Sequence, residues 1–190
     1  RPPRSTLFPY TTLFRSGVGK GTVLKEFMAR NTEDFMLSVS CTTRKPRPGE
    51  VDGINYFFMS VEEFQDCIKK DKFLEYAQFA GNYYGTKQKY ITQKFAEGLN
   101  IILEIETQGA LQVKKKMPEA VLIFIAPPSV EELEHRLRGR HTEDEETIKK
   151  RLDLVKIELE RSKQYDYIVV NDDLERAVSE IENIARSELA

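Results

Sequence analysis

The stretch SGVGKGT, Ser16 to Thr22, gathers residue types that hold phosphate. Gly17 and Gly19, flanking Val18, let backbone N–H groups close around phosphate oxygens. The Lys20 ammonium reaches the transferred end, and a helix opening here adds its dipole. The usual order of such a loop is Gly, any four residues, Gly, Lys, then a hydroxyl residue. It asks for a glycine six places before Lys20, where this chain has Phe14. Thr22 offers its hydroxyl one residue late, because Gly21 follows the lysine. Taken alone, the segment fits either a phosphate loop or an ordinary glycine turn before a helix.

A second group of residues suits an anionic ligand. SVSCTTRKPRPGEVDGINYFF, Ser38 to Phe58, sets Arg44, Arg47 and Tyr56 around a loop restricted by proline and glycine. EYAQFAGNYYGT, Glu75 to Thr86, follows within the same Pro/Gly-punctuated region. Further along, LEIETQGA (Leu103–Ala110) carries Glu104 and Glu106, and RLRGRHTEDEE (Arg136–Glu146) is dense in charge between two expected helices. The acidic run Glu143–Glu146 reads as a solvated first helical turn that suits the dipole, and His135 as an exposed helix residue.

The elements that must position these residues follow from the hydrophobic pattern. NIILEI (Asn100–Ile105), VLIFIA (Val121–Ala126) and YIVV (Tyr167–Val170) are continuous apolar runs, as in strands covered on both faces, and FMLSVS (Phe35–Ser40) adds a fourth. Their alternation with helices predicts a doubly wound parallel α/β sheet. Ser60, Ser129 and Thr142 each stand three residues before a Glu, the pattern of a capping box. In what reads as the last helix, Ile148, Leu152, Val155 and Leu159 make one apolar stripe. Between Thr42 and Gly85, short aromatic strands such as NYFFM and FLEYAQF predict an inserted antiparallel subdomain. The polar link at 136–151 predicts a mobile lid.

At 190 residues, with 40% apolar and 32% charged residues, the chain suits one core with small insertions. No apolar run approaches the roughly 20 residues of a membrane span. The net charge of −2 argues against nucleic-acid binding through bulk field. Cys41 and Cys67, without metal-ligand spacing, are expected to be reduced thiols in a cytosolic protein. LFPYTTLFRS (Leu7–Ser16) resembles the conceptual translation of a sequencing-adapter oligonucleotide, so residues 1–16 are expected to be a foreign start, with TTLF (Thr11–Phe14) filling the first strand's slot.

Taken in order, these motifs resemble guanylate kinase from Ser16 to the C-terminus, including RLRGRHTEDEETIKKRL (Arg136–Leu152) and YDYIVVND (Tyr165–Asp172). The resemblance implies a P-loop kinase core (17–41, 87–135, 152–190), a GMP-binding subdomain (42–86) and a short helical lid (136–151). It implies that Ser16 to Thr22 bind ATP, with Arg136 and Asn171 on the adenine side. Ser40, Arg44, Arg47, Tyr56 and Tyr84 would hold the GMP phosphate, while Glu75 and Thr86 would read guanine. Their chemistry agrees: a carboxylate accepts from guanine N1–H and N2–H₂, and a hydroxyl donates to O6. Adenine would face that carboxylate with a lone pair, a mismatch able to reject it by roughly 10⁴-fold. Glu106 would touch GMP or water around the metal, although the family's usual residue there is the shorter Asp; His141 stands where Gly is commoner. The implied reaction is ATP + GMP to ADP + GDP, with Mg²⁺ held mainly by ATP phosphates and water, and also by Thr22. Lys20, Arg44, Arg140 and Arg151 would neutralise the phosphates, and no general base is needed. The expected protein is a cytoplasmic monomer or homodimer acting on small molecules. Other readings are a non-catalytic phosphopeptide-binding module of the same family and an enzyme impaired at its phosphate loop.

Overall fold

Continuous apolar runs bounded by capped helices fold into a five-stranded parallel sheet with helices on both faces. The computed structural model describes residues 7–12, 20–139 and 144–190; for 7–12, Lys20, Arg136 and Arg151 it describes the backbone alone. Strands β1 (Leu7–Thr12), β2 (Phe35–Leu37), β7 (Asn100–Ile105), β8 (Ile123–Ala126) and β9 (Tyr167–Val170) lie in the order β2-β7-β1-β8-β9. Each neighbouring pair is parallel. The expected strand FMLSVS is shorter than its apolar run, because pairing with β7 ends at Leu37.

β7 shows why such strands read as unbroken apolar runs. Ile102 faces one core, with Phe27, Phe124, Leu133, Val155 and Ile181, while Ile101, Leu103 and Ile105 face the other, with Leu74, Ile91 and Val113. Each such fully buried side chain contributes about 1.5–3 kcal/mol by leaving water. The first core is covered by α1 (Lys20–Arg30), α5 (Val130–Gly139), α6 (Glu145–Ser162) and α7 (Leu174–Leu189); the second by α3 (Gln88–Ala96) and α4 (Thr107–Lys116).

Three expectations need correction here. The helix bearing Ile148 and Val155 is α6, not the last: α7 follows, burying Val178, Ile181, Ile184 and Ala185 at helical spacing. The first strand begins at Leu7, four residues before the expected Thr11–Phe14, and is described to Thr12, with Leu13 and Phe14 outside the described residues; its parallel register aligns Leu7 to Thr11 with Ile101 to Ile105 of β7. Pro9 therefore sits within a central strand opposite Leu103 and, lacking an N–H, gives no ladder bond there. Finally, α6 is capped by the Asp144 carboxylate, which accepts from the Thr147 amide at 2.8 Å; the expected cap Thr142 lies outside the described residues. The Ser60 capping box forms in full ahead of α2 (Val61–Lys69), and Ser129 Oγ accepts from the Glu132 amide at 3.0 Å.

The second sheet runs β4-β3-β6-β5, built from β3 (Cys41–Thr42), β4 (Phe57–Phe58), β5 (Phe73–Phe79) and β6 (Asn82–Lys87). The inserted sheet was expected to be antiparallel throughout, but β3 and β4 are parallel. The long link between them is a crossover rather than a hairpin, and a crossover brings a strand back in the same direction. Phe64 of α2 stacks on Phe73 with ring centroids 4.3 Å apart and on Tyr83 at 5.3 Å, with buried Cys41 and Cys67 completing this small core. Both thiols are free, and burial pushes that of Cys41 up to about 11, which keeps it protonated and unreactive.

Candidate nucleotide site

β5 and β6 meet with Glu75 opposite Thr86. β5 should alternate inside and outside, yet Phe73, Leu74 and Glu75 are buried in succession. A register shift between Phe73 and Glu75 accounts for this, because a bulge re-aims the side chains that follow it. The Thr86 hydroxyl donates to Glu75 Oε1 at 2.7 Å, with Thr86 fully buried and Glu75 4% exposed. Burial above all, opposed by the Thr86 hydrogen bond and aided by the Glu106 charge, leaves the Glu75 carboxyl raised to about 7. Gly85, between Tyr84 and Thr86, leaves no space for a side chain: a Cβ would stand 2.9 Å from the Glu75 carbonyl and 3.1 Å from Phe64 Cζ.

Tyr84 shares a face of β6 with Thr86, two residues on, and so places a second cluster on the same side of the sheet. At its centre, Arg44 gives the end-on pair of its guanidinium to Glu50, Nη1 to Oε2 at 2.9 Å and Nη2 to Oε1 at 2.7 Å. Its other Nη1 hydrogen goes to the Lys45 carbonyl at 2.8 Å. Tyr84 also pairs with this guanidinium, whose side-on edge, Nε–H beside Nη2, has the geometry that matches two oxygens of a phosphate or carboxylate. Nε is buried and has no hydrogen-bond partner. The guanidinium carbon lies 5.3 Å from the centroid of the Tyr56 ring, and Tyr56 packs edge-on against Tyr84 at 6.2 Å. Glu50 also accepts from the Arg47 amide at 2.7 Å, and these bonds hold its carboxyl down at about 2. Glu50 was not foreseen as a site residue, although an acid closing the basic run RKPRPGE was its visible signal. The Arg47 side chain itself is exposed, and Ser40, half-buried, accepts from the Phe57 amide through its carbonyl at 2.9 Å.

A third group lies where the parallel strands end. Thr22, exposed, is in the first turn of α1; Glu106 stands at the N-cap position of α4 directly after β7, without a side-chain cap bond; and buried Asn171 follows β9, its backbone N–H donating to the Ala126 carbonyl at 2.9 Å. Open parallel sheets take ligands at this carboxyl edge. The backbone of Lys20 opens α1, while Arg136 and Arg151 belong to α5 and α6. Ser16, Gly17, Val18, Gly19, Arg140 and His141 lie outside the described residues. Gly21 has open space at its Cβ position, and Tyr83 packs on Phe64 rather than facing the Arg44 cluster. His135 is exposed on α5.

A parallel sheet open to ligands at its carboxyl edge, with a second sheet presenting an arginine fork and a buried carboxylate, has the layout of a doubly wound nucleotide-binding protein. Comparison with known proteins narrows this class. The family model for guanylate kinase matches residues 9–188. The guanylate kinase of Bacillus cereus is 52% identical over 173 residues, 91% of this chain and 84% of that protein. That of Prochlorococcus marinus is 51% identical over 172 residues, 90% of this chain and 93% of its own. The crystal structure of guanylate kinase from Anaplasma phagocytophilum matches with a TM-score of 0.76 at 31% identity, covering 98% of this chain and 87% of that one. The chain belongs to the guanylate kinase family.

Proposed function

We propose that this protein transfers the terminal phosphoryl group of ATP to GMP, giving ADP and GDP. The observation that carries this reading is the buried Glu75–Thr86 pair on the same sheet face as the unpartnered Nε–H of Arg44. A base-reading carboxylate and an anion-reading fork, side by side, suit a nucleoside monophosphate. Glu75 accepts from guanine N1–H and N2–H₂, the Thr86 hydroxyl turns from Glu75 to O6, and the Arg44 fork takes the phosphate with Arg47, Tyr56, Tyr84 and Ser40 around it. Glu106 lines the same space. ATP occupies the carboxyl edge of the parallel sheet, with Ser16 to Thr22 at its phosphates and Arg136 and Asn171 toward adenine. The acceptor is an oxygen already ionised near neutral pH, so the chain's task is to neutralise two approaching polyanions with Lys20, Arg44, Arg140 and Arg151.

Among the described residues no group of three or more His, Cys, Asp or Glu could hold a metal ion. A hard hydroxyl such as Thr22, together with phosphate oxygens, nevertheless suits Mg²⁺, which keeps much of its own water. When bound, the ion would supply charge neutralisation at the ATP phosphates. The GMP-binding subdomain is assigned to 42–86, the lid to 136–151 and the core to 17–41, 87–135 and 152–190. We further assign residues 1–16 to a foreign start, from their likeness to translated adapter. Among the described residues no helix is long and apolar enough to cross a membrane. A cytoplasmic enzyme, monomer or homodimer, without nucleic-acid or membrane partners, completes the reading. A phosphopeptide-binding module is disfavoured because Lys20, Arg140 and Arg151 are all retained.

The test is a coupled assay of ADP release with GMP and AMP as acceptors. Glu75→Gln turns a charge-assisted acceptor into an amide able to point a donor at guanine's donors, a loss of about 1.5–3 kcal/mol, or roughly 10- to 150-fold in kcat/KM for GMP. Unchanged discrimination between GMP and AMP would remove Glu75 as the base reader. Absence of GMP-dependent ADP release in the parent protein would remove the activity.

A further inference from the structure

We propose that Gly109, in the first turn of α4, is a positioning residue for guanine recognition: its missing side chain is the space in which the Glu75 carboxylate sits. The inference rests on the GMP reading above. Glycine is a poor residue for a helix, and Gly→Ala inside one normally stabilises it. Here the position is buried, and an added Cβ would lie 2.6 Å from Glu75 Oε2, 3.3 Å from Cδ and 3.6 Å from Cγ. No other atom within 4 Å is closer, so the carboxylate is the group that would have to move.

Neither partner can retreat cheaply. Gln112, one turn along α4, treats β5 as a neighbouring strand would: its Oε1 accepts from the Tyr76 amide at 3.2 Å and its Nε2 donates to the Tyr76 carbonyl at 2.8 Å. At the far end of α4, Lys116 Nζ donates to the Phe73 carbonyl and to Asp71, both at 2.7 Å. These bonds bracket Glu75 on β5 and fix the separation of helix and strand. On its other side the carboxylate is held by Thr86. A methyl group at 109 would therefore be relieved by displacing the carboxylate from Thr86 and from the base it reads, since the three nearest atoms it meets all belong to Glu75.

The experiment is a cycle of Gly109→Ala, Glu75→Asp and the double variant, with steady-state kinetics and thermal midpoints for each. Gly109→Ala is expected to raise KM for GMP by roughly tenfold or more while kcat and KM for ATP stay within about twofold, the pattern of lost acceptor binding. Asp withdraws the carboxylate by one methylene. In the Glu75→Asp background, Gly109→Ala should therefore raise KM for GMP by less than about a third of its effect in the parent, and should lower the thermal midpoint by less than half as much. Multiplicative effects in the double variant, an unchanged KM for GMP, or an equal rise in KM for ATP would overturn the proposal. If Gly109→Ala does not fold, recovery of folding in the double variant supports the contact, and failure of both overturns it. If the parent itself does not use GMP, the proposed activity falls. The thermal cycle still decides whether Gly109 places the carboxylate.

Discussion

Ionising Glu75 costs the folded protein free energy that a neutral replacement would recover. In the unfolded chain its carboxyl has the ordinary value of 4.5, whereas in the folded protein it stands at about 7. At about 1.4 kcal/mol per pH unit, that gap is worth about 3 kcal/mol. The sign follows from proton counting: between these values the unfolded chain has released the proton and the folded protein keeps it. Stability from this group is thus fully present below pH 4.5 and is lost as pH rises through about 7. Glu75→Gln has no such proton, and any cost of its amide group is the same at every pH. Variant minus parent stability, from urea unfolding at a series of pH values, should therefore climb by about 3 kcal/mol from pH 4.5 to above 7 and then level off. The difference cancels the other titrating groups, which both proteins share. A flat difference across that range would refute the raised carboxyl, and a fall would show that the folded site favours the charged form. The variant that gains stability is the one expected to lose guanine discrimination, a trade found where function needs a destabilised site.

Glu50→Gln removes one of the two equivalent oxygens that hold the Arg44 fork, so KM for GMP should rise severalfold with KM for ATP unchanged; no change in either would mean that Glu50 does not orient Arg44. Gly85→Ala forces a methyl group to 2.9 Å from the Glu75 carbonyl and 3.0 Å from Tyr76 Cβ, and should lower stability by about 1–3 kcal/mol in urea unfolding. An unaltered midpoint would show that β5 and β6 yield there. Phe14→Gly with Arg15→Pro restores the glycine that a phosphate loop asks for before Lys20, and kcat/KM for ATP at saturating GMP should increase clearly. Equal activity in both proteins would mean that Gly17, Gly19 and Lys20 suffice.

The parallel sheet was legible in the sequence because β7 and β8, covered on both faces, leave nearly unbroken apolar runs, and β9 at the sheet edge keeps an apolar run although Ile168 is 50% exposed. β7 keeps the bounds of NIILEI, whereas VLIFIA overruns its strand, since Val121 and Leu122 are buried without pairing in β8. α7 has a plain stripe, Val178, Ile181, Ile184 and Ala185, but it follows the last apolar run and carries none of the motif residues. In the second sheet, composition marks aromatic strands between turns but does not carry pairing direction. The parallel β3–β4 pair depends on how the link closes around Glu50 and on Gly49 and Gly53, whose φ values of 85° and 77° favour glycine. Family resemblance named Arg44, Tyr56, Glu75, Tyr84 and Thr86, which the structure brings into two neighbouring clusters, but it named neither Glu50 nor Gly109, which touch those clusters. Each meets a neighbour distant in the local pattern: one occupies half of an arginine fork, the other supplies absence of volume.

Those two residues show what the site is built to resist. A carboxylate that must accept two hydrogen bonds from a base gains selectivity by being buried, because a mismatched base then leaves polar groups unpaired where no water can reach them. The same burial makes the carboxylate prefer its proton, and a protonated Glu75 would offer guanine a donor where an acceptor is needed. Thr86, by donating to Oε1, pulls toward the charged form, whereas Glu106 pulls the other way. Moving the carboxylate by even half an ångström would alter the Thr86 bond and the reach to the base together. A helix clamped to the strand through Gln112 and Lys116, with a glycine where they face the carboxylate, keeps that distance constant. The arginine fork solves the opposite problem. Its charge is permanent, so Glu50 needs only to orient it, and under the proposed function the buried, unpartnered Nε–H is the donor kept for an anion.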